Sequence, residues 1–199
     1  MNNHFRPSDL PMTTQAAEGL ERRRWTVAEI DAMVQAGVID EGERFELIDG
    51  DAVPMASKGI QHESYKAALI AFWFQRKTEA YRIIPETTFR LGDSTFLEPD
   101  ILFYDGNSRI ANLSPRTSLL AVEIADTTLA YDRGRKAMIY ACHGVPALWV
   151  INVNTLQTHV YSGPAPEGYL NMRTVGPDET LAPDFAPELA LKLVNLPEF

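Results

Sequence analysis

A carboxylate lies at the centre of an apolar, strand-like run, Leu119-Leu120-Ala121-Val122-Glu123-Ile124-Ala125. A second run, Leu97-Glu98-Pro99-Asp100-Ile101-Leu102, places another carboxylate at the start of an apolar segment. Burying a carboxylate without a partner is costly, so apolar strands seldom contain one. Two carboxylates brought together repel each other unless a cation lies between them. The two runs therefore predict a site for a divalent metal ion, of the kind used in phosphodiester hydrolysis.

Strand alternation places Glu123 on the same face as Ala121 and Ala125. These small neighbours leave room for a metal ion and a phosphate. The alternative is a Glu on an edge strand that points to solvent. The apolar flanks disfavour this alternative but do not exclude it.

Pro99 holds Glu98 in an extended conformation and cannot donate to a sheet ladder. This suits a strand start or a bend that presents Asp100 beside the next strand. The alternative is a turn at a strand boundary where Glu98 and Asp100 merely face water. Taken alone, this motif favours the alternative.

A basic segment, Asp132-Arg133-Gly134-Arg135-Lys136, begins a predicted helix that extends to His143. Lys136 lies four residues after Asp132, so the default interpretation is a surface ion pair. In the functional interpretation, Lys136 reaches over the carboxylates to orient the attacking water or to neutralise the phosphate. Arg133 and Arg135 could then bind a backbone phosphate.

Two further residues are secondary candidates for extending the metal site. Glu46 interrupts the apolar run Phe45-Glu46-Leu47-Ile48, and His62 stands at the start of a predicted helix. A lone Glu in a hairpin usually faces solvent, and a lone His is usually structural, so neither residue is decisive by itself.

The composition predicts one well-packed domain over residues 23–199, preceded by a flexible tail over residues 1–22. The chain has 199 residues, of which 45% are hydrophobic and 23% are charged. No apolar run approaches the ~20 residues that span a bilayer, and no signal-peptide h-region is visible. Cys142 is the only cysteine, which excludes an intrachain disulfide and fits a reducing cytoplasm.

The net charge of -9 disfavours a broad, nonspecific nucleic-acid binder, which normally carries a basic face. It does not exclude a nuclease, because a metal ion offsets the charge of catalytic carboxylates. Local basic groups occur at Arg22 to Arg24, at Arg76-Lys77 and at Arg133 to Lys136.

The order of helix and strand signals predicts an α/β fold with a mixed sheet flanked by helices. Thr26 and Glu29 have the spacing of a capping box, and Asp49-Gly50 between apolar runs indicates a hairpin. A second helix is predicted from His62 to Thr78. The remaining predicted strands are residues 81–84, 87–91, 96–104, 118–124, 146–153, 158–161 and 170–175.

Taken together, these motifs resemble the Uma-two family, a group of bacterial proteins with a restriction-endonuclease-like fold. The resemblance covers roughly Trp25 to the C-terminus, and it is specific in the order and spacing of the motifs rather than in any one of them. Its motifs are Phe45 to Gly50, His62, Glu98-Pro99-Asp100, Val122 to Asp126, Tyr131 to Lys136, Tyr140-Ala141 and Gly144 to Ile151.

The resemblance implies membership of the P-D-(D/E)-x-K nuclease superfamily, with Asp100 and Glu123 as its two acids. The carbonyl of Ile124 would complete the oxygen shell of the metal, and Glu46 would be a further ligand or water-orienting group. Ala125 stands where the superfamily commonly has its lysine, so Lys136 would reach the same space from the following helix. The expected activity is a DNA endonuclease that depends on Mg²⁺ or Mn²⁺.

Two other functions stay open at this stage. The first is a non-catalytic binding or scaffold protein on the same fold, favoured by the net charge and by Ala125, and able to form a homodimer through Trp73 or Trp149. The second is hydrolysis of another phosphodiester or a small nucleotide.

Overall fold

The computed structural model describes residues 23–197, which form two β-sheets and a small number of helices. The helices are α1 (Val27–Gln35), α2 (Ile60–Phe74), α3 (Leu129–Tyr131) and α4 (Ala137–Cys142), with a π-helical segment, Asp132–Lys136, between the last two. The strands are β1 (Phe45–Ile48), β2 (Asp51–Pro54), β3 (Tyr81–Pro85), β4 (Phe89–Gly92), β5 (Thr95–Leu97), β6 (Ile101–Asp105), β7 (Ser118–Ala125), β8 (Ala147–Asn152), β9 (Gln157–Ala165) and β10 (Gly168–Val175). Short 3-10 helices occur at Ile110–Asn112, Pro187–Leu189 and Leu193–Asn195.

The larger sheet has the strand order β10-β9-β8-β7-β6-β3, and the smaller sheet has the order β2-β1-β5-β4. Only β7 and β8 pair in parallel in the larger sheet. A parallel pair needs a crossover connection, and here residues 126–146 supply it with α3, the π segment and α4. The predicted α/β class is therefore confirmed, with two sheets where one was expected.

The predicted strand over residues 96–104 is divided between the two sheets at Glu98-Pro99-Asp100. Phe96 pairs with Leu47 in the smaller sheet, whereas Ile101 pairs with Val122 in the larger one. Pro99 has no backbone N–H to donate, so a continuous ladder cannot pass through it. Asp100 consequently lies at the point where the chain leaves one sheet and enters the other.

The two faces of β7 contribute to two different hydrophobic cores. Val122 and Ile124 pack in the core that also holds Trp73 of α2. Ala121 and Ala125 pack on the opposite face, in the core that holds the smaller sheet and α4. The helices α2 and α4 thus contribute to cores on opposite faces of the larger sheet, as expected, and the face of β7 that carries Glu123 looks toward the smaller sheet.

Both tryptophans that were considered for a dimer surface are core residues. Trp73 is fully buried and Trp149 is 2% exposed, and their ring centroids are 6.2 Å apart. These side chains hold α2 against the sheet and do not form a surface.

The predicted tail over residues 1–22 lies outside the described residues, and the domain bounds stay a prediction. Within residues 23–197, no helix is long and apolar enough to cross a membrane.

The start of the described chain is fixed by a capping box and a tight hairpin, both predicted from sequence. The hydroxyl of Thr26 accepts a hydrogen bond from the N–H of Glu29, and the Glu29 carboxylate accepts one from the N–H of Thr26. Asp49 and Gly50 have positive φ angles of 51° and 83° in the β1–β2 turn. A Cβ at Gly50 would lie 2.8 Å from the backbone nitrogen of Trp25, so only glycine allows the hairpin and the start of α1 to meet.

We expect Thr26→Ala to lower the free energy of unfolding by about 1 kcal/mol, because the first turn of α1 loses its side-chain acceptor. Urea denaturation followed by circular dichroism measures this loss. In a double-mutant cycle with Glu29→Ala, the losses in unfolding free energy of the two single variants should sum to more than the loss of the double variant. The reason is that the two hydrogen bonds of the capping box depend on each other. Strict additivity would show that the capping box does not act as a unit.

Candidate functional site

A cavity of about 430 Å³ lies where the two sheets meet, and its wall contains the carboxylates singled out from the sequence. Its walls come from the smaller sheet, from the segment before α2, from the end of β7 and from the crossover. The ionisable residues that line it are Glu46, Lys58, His62, Glu98, Asp100, Glu123, Asp126, Tyr131, Asp132 and Lys136.

Asp100 is buried at the entry to β6, so the interpretation that it faces water is wrong. Its Oδ2 accepts a 2.8 Å hydrogen bond from the N–H of Ile124 and lies 3.0 Å from Nε2 of His62. Its Oδ1 lies 2.9 Å from Nζ of Lys58. Burial raises the pKa of Asp100, but the hydrogen bond and charge of His62 and Lys58 outweigh it and hold this pKa at about 2.

Glu123 is buried on β7, between β6 and β8, so it does not lie on an edge strand. Its Oε1 accepts a 2.7 Å hydrogen bond from the hydroxyl of Tyr140 and another of 3.2 Å from Nζ of Lys136. Burial raises the pKa of Glu123 well above its usual range. The nearby carboxylates, with Asp132 the largest contributor, raise it further, and Lys136 opposes them.

Lys136 is buried and lies among three carboxylates rather than in a surface pair. Its Nζ is 2.9 Å from Oε1 of Glu46, 3.2 Å from Oε1 of Glu123 and 4.0 Å from Oδ1 of Asp132. Burial lowers the pKa of Lys136, but these three negative charges outweigh burial and raise the pKa above its ordinary value. Lys136 therefore stays protonated at neutral pH.

The helix that carries Lys136 is not a regular α-helix in its first turns, contrary to the prediction. Residues Asp132–Lys136 form a π-helical segment with Gly134 at its centre. π segments are rare and occur frequently at functional sites. Here Asp132 and Lys136 are both buried, whereas Arg133 and Arg135 are exposed on the same segment.

Glu46, on β1, joins the two halves of the site. Its Oε1 accepts hydrogen bonds from Lys136 and from the backbone N–H of Glu98, the latter at 3.2 Å. Glu98 in turn pairs with Arg44 at the outer side of the cavity. The smaller sheet thus contributes a carboxylate that fixes the lysine of the crossover.

A second ionic group borders Asp100. Nζ of Lys58 lies 2.5 Å from Oε1 of Glu86, which also lies 2.8 Å from Nζ of the buried Lys66. Burial raises the pKa of Glu86, but the hydrogen bonds and charges of both lysines lower it to about 2. Glu86 has a positive φ of 47°, and its N–H donates to the carbonyl of Asp100 at 3.2 Å, so its backbone is fixed beside the site.

The donor chemistry of the site suits a hard divalent cation, although no ligand cage is preformed. Among residues 23–197, no three His, Cys, Asp or Glu side chains are grouped as they are around a bound metal ion. The lining nevertheless offers several buried carboxylate oxygens, which Mg²⁺ and Mn²⁺ prefer. Both Asp100 and Glu123 are at present paired with lysine ammonium groups.

Comparison with known proteins places the chain in a family. The Uma2 family model, described as "Putative restriction endonuclease", matches residues 28–194. The chain belongs to the Uma2 family. A solved structure, titled "putative nuclease belonging to DUF820 from Anabaena variabilis", is 19% identical and superposes with a TM-score of 0.62 over 81% of this chain and 93% of that chain. At that identity the likeness shows the fold alone. No curated protein matches the chain significantly.

In this Uma2 protein the structure brings together Glu46, Asp100, Glu123 and Lys136, the four residues singled out from the sequence as catalytic. The backbone of Ile124 also lines the cavity. His62, a secondary candidate, contacts Asp100 directly.

Lys58, Glu86 and the role of Tyr140 were not predicted from the sequence. Tyr140 was named only within a motif of the family resemblance, and its spacing of four residues from Lys136 was the one signal that its hydroxyl could reach the same carboxylate. Lys58 and Glu86 lie in irregular segments, where no periodic pattern marks an ion pair beside a site.

The lowered pKa of Glu86 predicts that the stability of the protein depends on pH. A carboxylate whose pKa is lowered on folding stabilises the protein fully above its ordinary pKa of 4.5, and this stabilisation is lost as the pH falls toward 2. We therefore expect Glu86→Gln to lower the free energy of unfolding at neutral pH by about 1 kcal/mol, after allowance for solvent screening of this partly exposed group.

Urea unfolding of wild type and Glu86→Gln at about pH 7 and about pH 3 should show this difference shrinking at the lower pH. Glu79→Gln is the matched control, since the Glu79 side chain is 92% exposed and should matter little at either pH. A difference that is equal at both pH values would assign the loss to packing rather than to charge.

Proposed function

We propose that this protein is a metal-dependent nuclease that hydrolyses phosphodiester bonds, with DNA as its substrate. The observation that carries the proposal is that Asp100, Glu123 and Lys136, from three separate segments, line one cavity together with Glu46. Membership of the Uma2 family agrees with this chemistry.

The charges around Glu123 support a place for a divalent cation. Glu46, Glu123 and Asp132 surround one ammonium group, that of Lys136, so the ionised cluster has two more negative charges than positive ones. Burial and mutual repulsion raise the pKa of both Glu123 and Asp132. A divalent cation supplies the two positive charges that such a cluster lacks.

Asp100 and Glu123 would hold the cation, with the carbonyl of Ile124 as a further oxygen ligand. When bound, Mg²⁺ or Mn²⁺ activates a water molecule and stabilises the negative charge that develops on the phosphate. The hydroxyl of Tyr140 donates to Oε1 of Glu123 and thereby orients this carboxylate. His62 and the N–H of Ile124 orient Asp100 in the same way.

Lys136 acts as a fixed positive charge in this proposal. Because its pKa is raised, its ammonium group can donate hydrogen bonds to a water molecule or a phosphate oxygen, but it cannot accept a proton near neutral pH. Glu46 holds the ammonium in place from the smaller sheet, which makes Glu46 a positioning residue.

Two exposed arginines lie on the same segment as Lys136 and suit contacts with a nucleic-acid backbone. Arg133 and Arg135 lie between the buried Asp132 and Lys136 in the π segment. Arginine binds phosphate through paired hydrogen bonds, so these residues could position a strand over the cavity.

We expect Asp100→Asn and Glu123→Gln each to lower metal-dependent cleavage by roughly 100-fold or more, because each removes a ligand charge while keeping the side-chain shape. Lys136→Met should lower kcat to a similar extent, since it removes the fixed positive charge. Nicking of supercoiled plasmid in Mn²⁺ or Mg²⁺, with chelator as the blank, measures these losses.

The matched control is Asp105→Asn, because Asp105 ends the strand that Asp100 precedes and does not line the cavity. This variant should cleave like wild type. Full cleavage by Asp100→Asn and Glu123→Gln would overturn the proposal. A parallel assay with single-stranded DNA, RNA and a small phosphodiester tests the substrate class.

The alternative of a non-catalytic binding protein has one observation in its favour, which is that a lysine ammonium group already contacts each of Asp100 and Glu123. It would be preferred if the wild-type protein binds DNA, cleaves none of these substrates and takes up no metal ion.

A further inference from the structure

The two oxygens of the Asp100 carboxylate have different surroundings. Oδ2 accepts from the N–H of Ile124 and faces Nε2 of His62, at 2.8 Å and 3.0 Å. A carboxylate oxygen has two acceptor positions, so these two contacts occupy Oδ2. Oδ1 faces the ammonium group of Lys58 at 2.9 Å. Any cation that binds Asp100 must therefore approach Oδ1, where Lys58 lies.

The segment before α2 places Lys58 there. Lys58 belongs to residues 55–59, which have no regular secondary structure. The segment runs close to the end of β7, since a Cβ at Gly59 would lie 2.8 Å from Oδ2 of Asp126. The Lys58 side chain is only 11% exposed, which shows that its ammonium group is enclosed beside the cavity.

Glu86 gives Lys58 a second anion partner that does not line the cavity. Nζ of Lys58 contacts Oε1 of Glu86 and Oδ1 of Asp100 at the same time. Glu86 is held in place by Lys66 and by its own backbone N–H. The flexible four-carbon stem of lysine can therefore move the ammonium group away from Asp100 while keeping its pairing with Glu86.

We propose that Lys58 is an exchangeable counterion of Asp100, which occupies the metal-binding oxygen in the metal-free protein and moves toward Glu86 when a divalent cation binds. This inference rests on the proposed function, because it takes Asp100 as a metal ligand. It means that the metal ion must compete with an internal ammonium group, so the wild-type affinity for metal is lower than the carboxylates alone would give.

The test is isothermal titration of Mn²⁺ into the full chain in metal-free buffer at fixed ionic strength. We expect Lys58→Met to bind Mn²⁺ about tenfold more tightly than wild type, since the competing cation is gone. Lys58→Arg keeps the charge and should stay within about threefold of wild type. Asp100→Asn should lose binding in either background.

Lys66→Met is the matched control. Lys66 shares Glu86 with Lys58 but has no contact with Asp100 among the described residues, so its loss removes the same charge without freeing Oδ1. This variant should bind Mn²⁺ within about threefold of wild type. An equal tightening in Lys66→Met and Lys58→Met would reduce the effect to net charge and overturn the inference.

Three further outcomes separate this inference from the proposed function. If Lys58→Met binds Mn²⁺ no more tightly than wild type while Asp100→Asn loses binding, the inference fails and the proposed metal site stands. If Mn²⁺ binds equally well to Asp100→Asn, both fail. If no variant binds Mn²⁺, both fail as well. Circular dichroism of each variant, with Lys58→Gln as a second neutral substitution, verifies that the fold is retained.

Discussion

The ammonium group of Lys136 is the interaction on which the site depends. It is buried with Glu46 of the smaller sheet and Glu123 of the larger sheet within hydrogen-bond distance. Removing it would leave buried carboxylates facing one another without compensation, which costs several kcal/mol. The same group that would assist the chemistry is therefore also an ionic contact between the two sheets.

The cluster of carboxylates lowers the stability of the fold and at the same time provides groups that can bind a ligand. A well-packed apolar core at this position would be more stable than a cluster of carboxylates with too few cations. Strain of this electrostatic kind is typical of sites that are completed by a ligand. Buried ionisable side chains line the cavity on this side of the protein, whereas Trp73 packs among apolar side chains on the opposite face of the larger sheet.

Features that depend on neighbouring residues could be predicted from the sequence. The capping box at Thr26, the hairpin at Asp49-Gly50 and the strand that carries Glu123 all arise from local patterns, and the structure contains each of them. The division into two sheets was missed, although the residue that causes it, Pro99, was recognised as unable to continue a ladder. What the sequence did not reveal was which ladder each half would join, because strand pairing depends on contacts between distant parts of the chain.

The side chains that complete the site were harder to predict for the same reason. Asp100 and Glu123 stand out because a carboxylate is unexpected in an apolar run. Lys58 and Glu86 stand in polar, irregular segments where charged residues are ordinary, so nothing local distinguishes an ion pair that borders the site from one elsewhere on the surface. The π segment was also missed, since its sequence has the periodicity of a regular helix.

The exposed connection at residues 109–112 divides the residues of the site into two groups along the chain. All of the smaller sheet, α2 and Asp100 precede that connection, and Glu123, Tyr140 and Lys136 follow it. A chain cut within it would carry half of the carboxylates on each fragment, so neither fragment alone could form the cavity. Reassociation of the two fragments through the β6–β7 ladder would restore the complete set, which makes this fold a natural scaffold for a split protein.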